Sequence, residues 1–140
     1  MSIEVKIGAT ASRSKAFSSE DVNVFASVST DLNPIHLNEE AAKKTIFKQR
    51  VVHGHLVSSL FSGILGCDLP GEGTIFMEQS AKFLAPVFLD QTITATVEIV
   101  DIREDKPVIT LQVVATNEEG VAVIKGLAKV LYPPLNKLKA

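Results

Sequence analysis

Apolar positions follow helical spacing in the first half of the chain and strand spacing in the second. Val22, Phe25, Ala26 and then Ser29 recur three or four residues apart, which predicts a helix with one inward face. Ser18 can cap that helix and Asp21 completes a capping-box spacing, with Glu20 beside it at the positive helix end. The helix must end before Pro34, because proline lacks a donor and disfavours helical backbone at Asn33. A short second helix is predicted from Glu39 with Asn38 as its cap, and Glu39–Lys43 and Glu40–Lys44 sit one turn apart on it. Residues 56–67 are apolar or small on every side, the pattern of a buried helix; His53-Gly54-His55 leads into it and Leu69-Pro70-Gly71 stops it.

The period then changes. Residues 74–84, 91–103, 108–116 and 121–132 are β-rich runs, separated by turn signals at Glu104 to Pro107 and Asn117 to Gly120. An early strand near residues 4–7 or 12–17 can join them. One buried helix followed by antiparallel strands predicts an α+β fold, a curved antiparallel sheet wrapped around a central buried helix. The organisation expected is a single domain over residues 1–133 and a polar C-terminal tail over 134–140. Such a sheet leaves an edge strand to protect, and pairing with a second copy as a homodimer is the simplest cover.

Composition narrows the classes. The 140 residues are 46% hydrophobic, and a domain of this size buries roughly 70% of its unfolded surface. A net charge of -2 and a pI near 5.9 argue against a nucleic-acid partner. Cys67, the single cysteine, excludes an intrachain disulfide and fits a reducing compartment. Near the C-terminal end of its helix, it is expected to be an inert core thiol. No charged-then-apolar leader opens the chain, and the 56–67 stretch, broken by Ser58, Ser59 and Ser62, is too short to span a bilayer. The expectation is a soluble, cytoplasmic protein with no membrane partner.

The segment richest in chemistry is Asp31-Leu32-Asn33-Pro34-Ile35-His36. In a continuous helix Asp31 and His36 would point about 140° apart. Pro34 prevents that, and a turn in an irregular loop can bring carboxylate and imidazole together for proton transfer near neutral pH. On residue types alone the same segment also reads as ordinary turn chemistry, with His36 satisfying a loop carbonyl. His53 and His55 have no further Cys or His cluster to complete a zinc site, so no metal is expected and His53 reads as a structural hydrogen-bonding residue. Lys82, Arg103 and Lys106 are scattered charges, more consistent with solvated surface than with a phosphate site.

Asp31-Leu32-Asn33-Pro34-Ile35-His36, with Phe25 and Ser29 upstream, Ala41 downstream and Val52-His53-Gly54 running into the buried helix, resembles the signature of the MaoC-like (R)-specific enoyl-CoA hydratases. The resemblance covers roughly Ser18 to Tyr132 and is similar to the short, single-hotdog bacterial members. It implies a hotdog fold and syn hydration of a trans-2-enoyl-CoA to the (R)-3-hydroxyacyl-CoA. It also implies that Asp31 and His36 hold and activate the water, Asn33 orients Asp31 or that water, and the Gly54 N–H is the oxyanion donor. Ser62 resembles a position that hydrogen-bonds the catalytic loop, and the acyl tail is expected to run past Ser62 and Leu65 toward Val130, limiting chains to short lengths. No cofactor is implied. Candidate pathways by resemblance are polyhydroxyalkanoate precursor supply and fatty-acid metabolism. One departure stands out: many members have Gly before the aspartate, where this chain has Thr30. The rivals are a hotdog acyl-CoA thioesterase, disfavoured because residues 56–67 contain no acid, and a non-catalytic acyl-thioester binding module.

Overall fold

Ser18 caps the first long helix as its spacing implies. Its Oγ accepts the Asp21 N–H at 3.1 Å, and its own N–H donates to the Asp21 carboxylate at 3.0 Å. In the computed structural model, which describes residues 3–135, the elements run β1 (Thr10–Ala16), α1 (Ser19–Ser29), α2 (Pro34–Leu37), α3 (Glu39–Lys43), α4 (Gly54–Cys67), β2 (Ile75–Phe83), β3 (Thr92–Ile102), β4 (Val108–Thr116) and β5 (Ala122–Leu131). The strands form one antiparallel sheet in the order β1-β3-β4-β5-β2, the α+β architecture expected from the pattern.

Alternation along β3 buries Ile93, Ala95, Val97 and Ile99, and β4 adds Leu111, Val113 and Ala115. Val57, Phe61, Ile64 and Leu65 of α4 pack into the same cluster. Where β5 meets β2, a Cβ at Gly126 would overlap the Ser80 carbonyl oxygen, so only glycine fits there.

Several local expectations are corrected. Pro34 does not sit in an irregular loop; it opens α2, where its missing donor costs nothing, and Asn33 caps it. Lys43 pairs with Glu40 at 3.2 Å rather than with Glu39, whose carboxylate lies 3.9 Å from Arg50. Helix α4 is not buried on every side. His55, Ser59, Ser62, Gly66 and Cys67 are exposed, so Cys67 is not a core thiol. Small and hydroxyl side chains occupy that outer face, and hydropathy alone does not separate it from the inner one. Leu135, within the expected tail, is buried in the core cluster; positions 136–140 of that tail lie outside the described residues.

Candidate active site

Thr30 ends α1 in the left-handed region, φ 66 and ψ 11. That conformation costs a residue with a Cβ about 1–2 kcal/mol, which accounts for the glycine expected there. The reversal swings Asp31 out of the helix line. Its N–H donates to Ser29 Oγ at 3.1 Å, and its Oδ1 accepts the Asn33 N–H at 3.2 Å. The Asn33 side chain is spent elsewhere, accepting the Ile35 N–H at 3.2 Å. Asn33 therefore holds Asp31 through its backbone, not its carboxamide.

His36, on α2, is fixed from both ends. Its Nδ1 lies 2.7 Å from the Val51 carbonyl oxygen, and its own carbonyl accepts Arg50 Nε–H at 2.7 Å. A carbonyl can only accept, so Nδ1 carries the proton and Nε2 presents a bare lone pair. That Nε2 stands 4.0 Å from Asp31 Oδ2, with the imidazole side chain 12% exposed and the carboxylate 49%. Two acceptors cannot bond each other without a proton between them. They suit a water donating one proton to each along legs of about 2.8 Å.

His53, the residue before α4, completes the cluster. It is 2% exposed. Its Nε2 lies 3.0 Å from the Asp31 carbonyl oxygen, its ring stacks on His36 with centroids 3.8 Å apart, and Phe25 meets it edge-on at 4.9 Å. Its Nδ1 is buried without a partner. Burial pushes the His53 pKa below its ordinary 6.5, as does the neighbouring His36, and both outweigh the Asp31 carbonyl and carboxylate that pull the other way.

A stability consequence follows. As pH falls through the unfolded value near 6.5, the unfolded chain gains a proton that folded His53 refuses, so stability is present above that pH and lost below it. Asp21, held low by the Ser18 N–H, and Asp68, held low by Arg13, add a second loss as pH falls below 3.8. A melting-temperature series should therefore show a decline beginning near pH 6.5 that is diminished in His53→Gln; an identical decline in both proteins would contradict it.

A cavity of about 570 Å³ opens beside the cluster, lined by His36, Gly54, Val57, Phe83, Val87 and Ile124 among others. Gly54 is the first residue of α4, so its N–H has no acceptor within the helix, and no side chain caps this terminus. The helix dipole adds a favourable field for developing negative charge. A Cβ at Gly54 would lie 2.7 Å from the Phe83 ring, so the glycine is what lets β2's aromatic close over the helix start.

Asp31, His36 and His53 each offer a donor atom within 4.8 Å of the others, close enough to suggest a metal site. The ring geometry opposes that reading. His36 and His53 are inclined by only 24°, so their in-plane lone pairs run nearly side by side instead of converging, and one nitrogen of each ring is held by a carbonyl.

The structure thus brings Asp31 and His36 together and sets Gly54 in the cavity wall that includes His36. It places the other candidates elsewhere. Ser62 lies in a separate groove between α4 and β2, with Ser59 and Gln79, and no hydrogen bond among the described residues joins it to the Asp31–His36 loop. Leu65 and Val130 are in the core and do not line the cavity. Arg50, missed by the sequence reading, is buried against the loop; beside Val51-Val52 it carries no local signal that separates it from surface arginines.

A family model described as a MaoC-like domain matches residues 3–121. This chain belongs to that family. The MaoC-like chain is 43% identical over 129 residues to an (R)-specific enoyl-CoA hydratase of Aeromonas caviae, covering 92% of this chain and 96% of that protein. It is 35% identical over 138 residues to a mitochondrial 3-hydroxyacyl-[acyl-carrier-protein] dehydratase of Arabidopsis thaliana, covering 96% of this chain and 82% of that one. A solved (R)-hydratase from A. caviae, described as involved in PHA biosynthesis, superposes with a TM-score of 0.89 at 42% identity, covering 91% of this chain and 96% of that one. The architecture is a hotdog fold.

Proposed function

We propose that this protein is an (R)-specific enoyl-CoA hydratase adding water across a short-chain trans-2-enoyl-CoA. The observation that carries the reading is the pairing of Asp31 Oδ2 with His36 Nε2 at 4.0 Å, beside a cavity whose wall includes the start of α4. The thioester carbonyl makes C3 electrophilic, and attack there builds charge on the carbonyl oxygen, which the Gly54 N–H receives. As the water oxygen bonds to C3, the pair takes one water proton and returns a proton to C2 on the same face. Hydroxyl and proton both come from water, so the addition balances with no further reactant.

The thioesterase alternative lacks its acid. Gly54–Cys67 contains no Asp or Glu, and Asp68, just beyond, is held by Arg13 at 2.6 and 2.9 Å. Crotonyl-CoA should therefore lose its enoyl absorbance without releasing free thiol; thiol release at the rate of absorbance loss would favour the thioesterase.

The acyl tail is assigned to the apolar cavity, so its length is limited by side chains on that wall. Ile124→Ala should extend the accepted chain, because each further buried methylene contributes about 0.8 kcal/mol once space exists. Leu65→Ala, away from the cavity, should leave chain preference unchanged, and both truncations should cost about 2–5 kcal/mol of stability because Ile124 is buried in the core as well. A chain-length series and a melt on each variant check this; longer chains in Leu65→Ala alone would return the tail to the helix interior.

The working unit is proposed to be a homodimer. Edge strand β2 exposes Ile75, Phe76, Met77 and Phe83, and α4 shows its uncharged outer face beside it. Light scattering should give twice the 15.1 kDa chain mass; a fully active species at the chain mass would contradict it.

A further inference from the structure

We propose that His53 is a positioning residue of the hydration: its Nε2–H grips the backbone carbonyl of Asp31 while its ring backs the imidazole of His36, so that the shared water is held in register with the Gly54 N–H. The proposal rests on the Asp31–His36 reading and adds to it the part that fixes the pair.

Three observations carry it. The Asp31 carbonyl oxygen lies 3.0 Å from His53 Nε2, and the ring of His36 lies 3.8 Å from that of His53, so one buried side chain touches both members of the pair. His53 also immediately precedes Gly54 in the chain. The proton-handling groups and the oxyanion donor come from segments far apart in sequence, and His53 is where they are joined.

The second observation is the state of the ring. Because the Asp31 carbonyl can only accept, Nε2 carries the proton and Nδ1 is the bare nitrogen. Nδ1 is buried with no partner, so protonating it would create a charged donor with nothing to receive it. A neutral, fixed imidazole stacked on His36 offers shape and one hydrogen bond but no competing proton site. His53 thus differs in role from His36, although both are histidines of one cluster.

Third, the neighbours of His53 make the same kind of tie. Arg50 Nε–H holds the His36 carbonyl at 2.7 Å, the Val51 carbonyl accepts His36 Nδ1–H at 2.7 Å, and the Val51 N–H donates to the Ile35 carbonyl at 3.3 Å. Residues 50–53 hold the segment from Asp31 into α2 at several points, and of the ties named here the one from His53 reaches Asp31.

The test compares His53→Leu, which loses the donor, with His53→Gln, whose amide nitrogen can stand where Nε2 stands. His53→Leu should lower kcat by about 10- to 100-fold with KM changed less than about 3-fold, since a small misplacement of reacting groups is enough for a loss of that order. His53→Gln should recover most of it, to within about 5-fold of the native enzyme. In an Asp31→Asn background His53→Leu should cost much less than it does alone, because it acts through Asp31. If His53→Leu does not fold, His53→Asn replaces it, its amide being too short to reach the carbonyl. Native kcat in the donor-less variant, no recovery in His53→Gln, or fully multiplicative losses with Asp31→Asn would each overturn the proposal. Near-native activity in Asp31→Asn alone would instead overturn the pair itself.

Discussion

Replacing Asp31 with Asn, or His36 with Gln, is expected to lower turnover by about 10²- to 10⁴-fold, the range for a positioned acid or base. The Asn33 N–H holds one Asp31 oxygen and leaves Oδ2 toward His36, while the Val51 carbonyl holds Nδ1 and leaves Nε2 toward Asp31. Asp31→Asn keeps an oxygen for the Asn33 N–H and removes the Oδ2 carboxylate acceptor, and His36→Gln removes the imidazole base together with its Nδ1–H tie to the Val51 carbonyl. A water held by a single acceptor loses both its orientation and its proton path, so the second substitution has little left to remove. The double variant should lose far less than the product of the single losses. Steady-state kinetics on the three proteins decides this; multiplicative losses would mean that the two groups act on different protons.

Gly54→Ala is the second large effect. Its Cβ would lie 2.7 Å from two atoms of the Phe83 ring, well inside van der Waals contact. Phe83 is half exposed and can swing, but it lines the cavity, so moving it changes the site. Overpacking of this kind costs about 1–3 kcal/mol, and blocking an oxyanion donor costs about 10²–10³-fold in kcat. The expected outcome is a folded protein of modestly lower melting temperature with turnover down by about 10²-fold. Phe83→Ala in the same chain separates the two causes. If it restores the melting temperature without restoring turnover, the added methyl itself obstructs the donor; if it restores both, the effect belongs to the ring.

Strands β3, β4 and β5 were legible because each buries at least one apolar face. Residues 108–116 were expected as a strand and are β4, since Val108–Thr116 is bounded by turn residues and rich in β-branched side chains. Helix α1 was legible from its capping box, a purely local signal. Side-chain destinations were less so. The asymmetry of α4 was missed because Ser59, Ser62 and Gly66 are small, and an exposed small residue looks like a packed one in sequence. Asp31 and His36 stood out because Pro34 breaks the helical spacing between them. Asn33 was expected to orient Asp31 or the water; its backbone N–H donates to the Asp31 carboxylate while its side chain caps α2, a division that composition does not encode. His53 was read as a hydrogen-bonding residue, but its partner, the Asp31 carbonyl, lies across a long-range contact that only the fold creates.

The arrangement makes a definite statement about stereochemistry. On the proposed reading Asp31, just before α2, and His36, within it, hold the water from one side, and that water reaches the enoyl plane only from their side, with the carbonyl directed to the start of α4. Hydroxyl and proton then arrive on one face. The measurement that bears on this most directly is chiral analysis of the product formed from crotonyl-CoA in deuterated water, reading both the C3 configuration and the position of deuterium at C2. The account predicts (R)-3-hydroxybutyryl-CoA carrying deuterium syn to the new hydroxyl; an (S) product, or anti addition, would contradict it.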